Sequence, residues 1–175
     1  MSGSGRKIWD VGVKLASADL NAYLSEQVIY YYEDAAARTA AIGTPSQGLM
    51  SYRADVNIVE GYNGTRWVNM NGKQELNTQP GTAYAITASD ISRLVRFTSG
   101  SAVSVTLGTG IASAGERVEI LQDGAGTVTL SPGAGVSIFG AGTAGTAYTL
   151  GLYEAASIYC VSSNSYRVIG NVRAV

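Results

Sequence analysis

The fold is indicated most clearly by Val103-Ser104-Val105-Thr106-Leu107, in which apolar and small polar side chains alternate without a break. A period of two is the pattern of a β-strand with one buried face and one solvated face. Glycine-rich turns separate this stretch from similar ones at intervals of about ten residues. The pattern predicts strands over residues 83–87, 94–98, 103–107, 117–122, 127–130, 136–139, 147–152, 157–162 and 166–170.

We expect these strands to form an antiparallel β-sandwich or barrel-like domain over residues 77–175, because many short strands separated by turns are typical of such folds. No repeat of fixed length is visible in this region, which argues against a solenoid. The polar run Asn77-Thr78-Gln79, followed by the turn signal Pro80-Gly81, predicts the boundary that precedes the domain.

The composition of the 175-residue chain excludes several kinds of chemistry. Without histidine there is no imidazole general base and no histidine-ligated metal site. A single cysteine allows neither an internal disulfide nor a thiolate metal cage. The net charge of −1 opposes a nucleic-acid partner, which requires a basic surface. We therefore predict no enzymatic activity and no catalytic, metal or cofactor site.

The sequence shows no signal for secretion or membrane insertion. Its first residues lack the apolar core of a signal peptide, and the densest apolar run, residues 28–32, is too short to cross a bilayer. We expect a soluble protein that is assembled in a cytoplasm.

The region before the β domain is predicted to contain an arm and a helical neck. Residues 1–16 begin with glycine and serine and have no helical period, which predicts an extended anchoring arm. Residues 17–42 are predicted to be helical, with Ser17 capping the first helix and Asp34 capping a second one over residues 35–41. The apolar spacing of the first helix is carried by Leu20, Tyr23, Leu24 and Val28.

A hairpin is predicted to complete this neck, which spans residues 17–76. Two apolar runs, residues 56–62 and 65–70, flank Asn63-Gly64. This dipeptide readily adopts the positive φ angles of a type I′ turn, so we expect a two-residue hairpin loop.

The neck carries more large apolar and aromatic side chains than one small core can bury. Because aromatic residues are enriched at protein interfaces, we predict that the surplus contacts other subunits or a larger body. The predicted subunit or capsid interface consists of Trp9, Leu20, Tyr23, Leu24, Val28, Tyr30, Tyr31 and Tyr32.

Three other motifs have structural explanations. Gly140-Ala141-Gly142-Thr143-Ala144-Gly145 matches the dinucleotide-binding glycine pattern, but a predicted strand follows it where that motif requires a helix. The carboxylates Glu116, Glu119 and Asp123 could serve a glycan hydrolase, but solvated strand and turn positions explain them equally well. Cys160 stands in an apolar strand and has no histidine to activate it.

Several segments resemble virion proteins of tailed bacteriophages. In the neck these are Leu15-Ala16-Ser17-Ala18-Asp19-Leu20, Glu33-Asp34-Ala35-Ala36-Ala37-Arg38 and Tyr62-Asn63-Gly64-Thr65-Arg66-Trp67. In the β domain, Ala83-Tyr84-Ala85-Ile86-Thr87 and Gln122-Asp123-Gly124-Ala125-Gly126 are similar to phage fibre-type domains. The resemblance extends over most of the chain from Trp9 onward.

This resemblance implies a structural protein of the virion, which usually forms homotrimers with a β-rich outer domain. For a chain of this length we favour a capsid decoration protein, of the minor capsid or head-fibre type, bound to the major capsid protein or another virion protein. A tail-fibre or baseplate component that contacts the host surface, with a surface glycan as a further partner, is the alternative. A glycan-active enzyme is a more remote one.

Overall fold

The structure is a computed structural model that describes Gly12, Lys14, residues 28–140, the backbone of residues 143–144, and residues 147–175. The chain divides into two compact units, Met1–Lys73 and Gln74–Val175. Within the described ranges it is mainly β, with mixed sheets and one α-helix. Apart from Gly12 and Lys14, the predicted arm lies outside the described residues, as does the predicted first helix as far as residue 27. The homotrimer stays a prediction.

The described part of the first unit is a four-stranded sheet with a short helix. Its elements are β1 (Ile29–Tyr32), α1 (Ala35–Ala41), β2 (Met50–Arg53), β3 (Ile58–Tyr62) and β4 (Trp67–Asn69), and the strands lie side by side in that order. β1 runs parallel to β2, whereas the β2–β3 and β3–β4 pairs are antiparallel. Asp34 caps α1 by accepting a hydrogen bond from the Ala37 amide at 2.7 Å, so this predicted cap and helix are confirmed.

Ile29–Tyr32 was expected within the helical region, and this expectation is wrong. These four residues form β1, which pairs in register with Met50–Arg53. One β-branched residue and three tyrosines favour an extended backbone, and a neighbouring strand supplies hydrogen bonds for that conformation.

The predicted hairpin exists, but its turn differs from the expected one. The loop between β3 and β4 has four residues, 63–66, and the Asn63 amide donates to the Arg66 carbonyl at 3.0 Å. The Asn63 side-chain oxygen accepts from the amides of Thr65 at 3.0 Å and Arg66 at 2.8 Å. Gly64 has a positive φ of 97° but Asn63 does not, so the turn is not type I′. The side-chain hydrogen bonds of Asn63 stabilise the longer loop instead.

The second unit contains two mixed sheets. One has the order β16-β13-β10-β8-β6 and the other has the order β12-β11-β15-β14-β9-β7-β5. The strands are β5 (Leu76–Gln79), β6 (Ala83–Ile86), β7 (Leu94–Phe97), β8 (Val103–Leu107), β9 (Arg117–Gln122), β10 (Val128–Pro132), β11 (Ser137–Gly140), β12 (Thr143–Ala144), β13 (Tyr148–Leu150), β14 (Ala155–Ser162), β15 (Ser165–Gly170) and β16 (Arg173–Ala174).

The first six of these strands wind as three solenoid-like coils. From β5 to β10 the chain alternates between the two sheets, so each coil contributes one strand to each sheet. Successive coils stack in parallel: β5 on β7 on β9 in one sheet, and β6 on β8 on β10 in the other. Antiparallel strands then extend both sheets, with β13 beside β10 and β14 beside β9.

The expected antiparallel sandwich or barrel is therefore wrong, and the arrangement is solenoid-like. A fixed repeat is not visible because the coils differ in length. Their strands begin at residues 76, 94 and 117 in one sheet and at residues 83, 103 and 128 in the other, so the steps are unequal. Loops of different length leave the stacking of the coils intact while removing the sequence period.

Inward-facing side chains from both sheets form one hydrophobic core. It includes Val95 and Phe97 from β7, Val105 and Leu107 from β8, and further strand residues up to Val168. In β8 the alternation of buried and exposed residues follows the sequence pattern without interruption. The free thiol of Cys160 belongs to this core; burial, and secondarily the Glu116 charge, raise its pKa.

An ion pair between Arg173 and Glu154 holds the last strand, β16, in place. It predicts that the stability of the fold decreases at acid pH. Both terminal nitrogens of Arg173 lie 2.6 Å from carboxylate oxygens of Glu154, and the Gly151 amide donates to the same carboxylate at 2.6 Å. The Arg173 hydrogen bonds, followed by the Gly151 amide, lower the pKa of Glu154 from 4.5 to about 2. A carboxyl group whose pKa is lowered by folding stabilises the native state above its unfolded pKa. This contribution is lost as the pH falls from 4.5 towards 2.

We expect Glu154→Gln to flatten the acid limb of the thermal stability profile. The measurement is the unfolding midpoint as a function of pH over that interval, for the wild type and the variant. Arg173→Gln, which removes the other half of the pair, should flatten the same limb. Parallel profiles for the wild type and Glu154→Gln would contradict this assignment.

Candidate functional site

The sheet of the first unit presents one face made entirely of uncharged, mostly apolar side chains. The strand register aligns Ile29 with Met50, Met50 with Gly61 and Gly61 with Val68. Two residues further along the strands, a second row crosses the sheet and consists of Tyr31, Tyr52, Val59 and Met70. We call this surface the apolar face; it consists of Ile29, Tyr31, Met50, Tyr52, Val59, Gly61, Val68 and Met70.

Three side chains of the apolar face are strongly exposed. Tyr31 is 66% exposed, Met70 61% and Ile29 52%. The rings of Tyr31 and Tyr52 stack with their centroids 6.0 Å apart and their planes 24° from parallel. The face therefore presents stacked aromatic and flexible thioether groups, both of which are common at protein interfaces.

The opposite face of the same sheet combines buried charged and polar side chains with the buried Ile58 and the half-buried Tyr30 and Tyr32. Glu60, only 3% exposed, forms an ion pair with Arg38 of α1 and accepts a hydrogen bond from Ser51 at 2.9 Å. Arg53, also buried, lies with Nη1 3.8 Å from the second oxygen of Glu60. The guanidinium of Arg38 also lies 4.5 Å above the ring of Trp67. We call Arg38, Ser51, Arg53 and Glu60 the ionic cluster.

At its edge the ionic cluster includes a more accessible carboxylate. Arg53 donates to Asp55 through Nε at 3.2 Å and through Nη2 at 2.6 Å. These Arg53 contacts are the main reason that the pKa of Asp55 lies below 3.8. Each charge in this part of the sheet thus has a partner of opposite sign, as buried charges require.

The two faces of the sheet differ in accessibility. A sheet with one face in water normally buries its apolar side and solvates its polar side. Here α1 pairs with the ionic cluster through Arg38, whereas Ile29, Tyr31 and Met70 of the apolar face are more than half exposed. Exposed apolar side chains that are grouped on one surface are common at sites of protein association.

The residues predicted to form an interface are distributed over both faces. Tyr31 lies on the apolar face, whereas Tyr30 and Tyr32 are half-buried on the opposite side, with their rings stacked at a centroid distance of 6.5 Å. Val28, 45% exposed, directly precedes β1. Trp9, Leu20, Tyr23 and Leu24 lie outside the described residues. Contact of these eight residues with a partner stays a prediction.

The prediction missed six side chains of the apolar face. They are Ile29, Met50, Tyr52, Val59, Val68 and Met70. The period of two in Met50-Ser51-Tyr52-Arg53 was a usable signal, because it separates Met50 and Tyr52 from Ser51 and Arg53.

The carboxylates considered for catalysis all make local contacts. Glu116 accepts from the Ser113 amide at 2.7 Å, Glu119 from Arg117 Nε at 3.1 Å, and Asp123 from Arg96 Nε at 2.7 Å. Within the ranges that the structure describes, no three acidic or cysteine side chains form a potential metal site. No described helix is long and apolar enough to span a membrane.

Comparison with protein-family models and with curated protein sequences gave no match to this chain.

Proposed function

We propose that this chain is a structural protein of a tailed-phage virion. In this proposal it is a capsid decoration protein of the minor capsid or head-fibre type. The observation that carries the proposal is the exposure of Ile29, Tyr31 and Met70 on the apolar face, all of which are more than half accessible in the described part of the first unit. The first unit would dock, and the solenoid-like unit would project outward.

The partners in this proposal are other copies of the chain, as a homotrimer, and the major capsid protein or another virion protein. The arm over residues 1–16 would extend the contact along the capsid. Many weak contacts made by linked copies give strong overall attachment, because each bound copy raises the local concentration of the next. A modest apolar face is therefore sufficient for attachment to a lattice.

The second unit supports a structural role by its construction. Its coils are held by backbone ladders, a continuous apolar core and tight turns. The polar groups that could serve chemistry make contacts within the fold, as described for Glu116, Glu119 and Asp123. Such a unit suits a rigid projection from a particle surface.

A tail-fibre or baseplate component is the second candidate. It is favoured by the broad outer surface of the seven-stranded sheet, which could contact a host envelope. Copy number separates the two functions: decoration requires hundreds of copies per particle, whereas a tail component is present in a few to tens.

The double variant Ile29→Glu/Tyr31→Glu tests the proposed docking surface. Both side chains are more than half exposed, so the fold should tolerate the change, whereas a docked face would have to bury two unpaired carboxylates. We expect the number of copies per purified particle to fall by about tenfold or more, since 1.4 kcal/mol corresponds to a factor of ten. Quantitative mass spectrometry of the particles provides the measurement.

The matched control is Leu152→Glu, which places a carboxylate at an exposed apolar position in the second unit. It should leave the copy number unchanged. Normal incorporation of the double variant, or absence of the wild-type chain from purified particles, would refute the proposal.

A further inference from the structure

Two arginines and two aromatic rings form a row on the outer surface of the seven-stranded sheet. The register aligns Phe139 of β11 with Arg167 of β15, Arg167 with Tyr159 of β14, and Tyr159 with Arg117 of β9. Tyr159 and Arg167 each stand between two buried neighbours, whereas Arg117 adjoins the buried Val118 and Phe139 adjoins the buried Ile138. We call these four residues the arginine row.

Each guanidinium in the row lies over an aromatic ring. The Arg167 Cζ atom is 4.4 Å from the centroid of Phe139, and the Arg117 Cζ atom is 5.8 Å from that of Tyr159. Stacking of this kind holds the planar guanidinium in place, which reduces the entropy that a bound ligand must remove. The arginine row is thus preorganised.

Both guanidinium groups retain free hydrogen-bond donors. Arg117 uses only Nε, in its bond to Glu119. Arg167 makes one long bond, from Nη1 to the Tyr166 carbonyl at 3.4 Å, and no carboxylate pairs with it in the ranges that the structure describes. The terminal nitrogens are therefore available for an external anion.

Exposed apolar side chains flank the row. Ile169 follows Arg167 by two residues on β15 and is 61% exposed, and Val161, 46% exposed, lies at the register shift between Cys160 and Ser162 of β14. The surface combines hydrogen-bond donors for carboxylates with small apolar patches, which together suit the carboxylate groups and C–H faces of acidic sugars.

We propose that the arginine row binds an acidic polysaccharide of the uronic-acid type. Arg117 and Arg167 stand on strands separated by β14, so their backbones are about 10 Å apart for a strand spacing near 4.8 Å. A linear polymer lying across the strands could place one carboxylate at each guanidinium, where a paired, charge-assisted hydrogen bond can form. This binding site does not depend on the decoration role, and it gives the glycan partner of the second candidate a chemical class.

A single-stranded nucleic acid fits the row less well. Proteins that bind single strands stack bases on open aromatic faces. Here guanidinium groups lie over the rings of Phe139 and Tyr159. Recognition of carboxylates by the arginines therefore explains why the guanidinium groups lie over the rings, and base stacking does not.

The test uses the full chain, polygalacturonate and isothermal titration calorimetry. The fully methyl-esterified polymer has the same backbone without the charge and serves as the ligand control. We expect binding of polygalacturonate only, and a loss of affinity of roughly tenfold or more in both Arg167→Gln and Arg117→Gln. Arg167→Lys keeps the charge but not the two-pronged geometry, so its loss should be intermediate.

Arg173→Gln is the matched protein control, because it removes one exposed positive charge from a strand of the other sheet. It should bind polygalacturonate like the wild type. The proposal is overturned if the wild type binds neither polymer, if it binds both equally, or if the two row variants retain full affinity. Tighter binding of oligothymidylate than of polygalacturonate would also overturn it and identify a nucleic-acid surface.

Discussion

Gly126→Ala is expected to destabilise the second unit severely. The turn that contains Gly126 stacks directly on the turn of the preceding coil, and the Gly126 amide donates to the Ser99 carbonyl at 3.1 Å. A Cβ at this position would overlap the backbone carbonyl of Ser101, which cannot move without separating the coils. We expect a loss of at least about 3 kcal/mol in the free energy of unfolding, the range of severe overpacking.

Urea unfolding followed by far-ultraviolet circular dichroism measures this effect. Gly124→Ala should behave in the same way, because its Cβ would lie 2.6 Å from the Thr98 carbonyl carbon. Gly100→Ala is the control, since nothing lies within 4 Å of its added Cβ; it should change stability by less than about 0.5 kcal/mol. Equal midpoints for Gly126→Ala and Gly100→Ala would refute the close stacking of the coils.

The strands of the second unit could be predicted from local pattern, but their arrangement could not. Val103-Ser104-Val105-Thr106-Leu107 alternates because one face is buried, and β8 has the predicted bounds. The same alternation suits parallel and antiparallel neighbours, so it does not distinguish a sandwich from stacked coils. That choice depends on contacts between distant residues, such as Val103 with Val128.

The first unit shows the same limit. Asp34 and the alanines after it are a local helix signal, and α1 forms as predicted. Tyr31 instead forms a strand because its partner Tyr52 is brought alongside by the crossover through that helix. The strand must be known before one can say which tyrosines face outward. The apolar face therefore could not be predicted from the sequence.

The buried role of Arg38 had no signal in the sequence at all. It lies in an alanine-rich helix, where an arginine is ordinarily a solvated residue. Its partner Glu60 is 22 residues away, on the middle of a strand. Only the packing of α1 against the sheet brings these two charges together.

Glu60→Gln is expected to destabilise the first unit by about 3 kcal/mol or more. The substitution preserves the size of the side chain and its contact with Ser51, but it removes the negative charge that compensates Arg38 and Arg53. Removing one partner of a buried ion pair is strongly destabilising, typically by about 3–5 kcal/mol. Loss of the ionic cluster should also release α1 from the sheet.

Trp67 fluorescence reports on this unit, because the Arg38 guanidinium lies over its ring. In a Trp9→Phe background Trp67 is the only tryptophan, so its urea unfolding curve gives the stability of the first unit directly.

Asp55→Asn is the matched control: it also removes one acidic partner of Arg53, but from a side chain that is one-third exposed. Because water screens this outer pair, its loss should cost less than about 1 kcal/mol. If Glu60→Gln and Asp55→Asn have the same small effect, the ionic cluster does not organise the sheet.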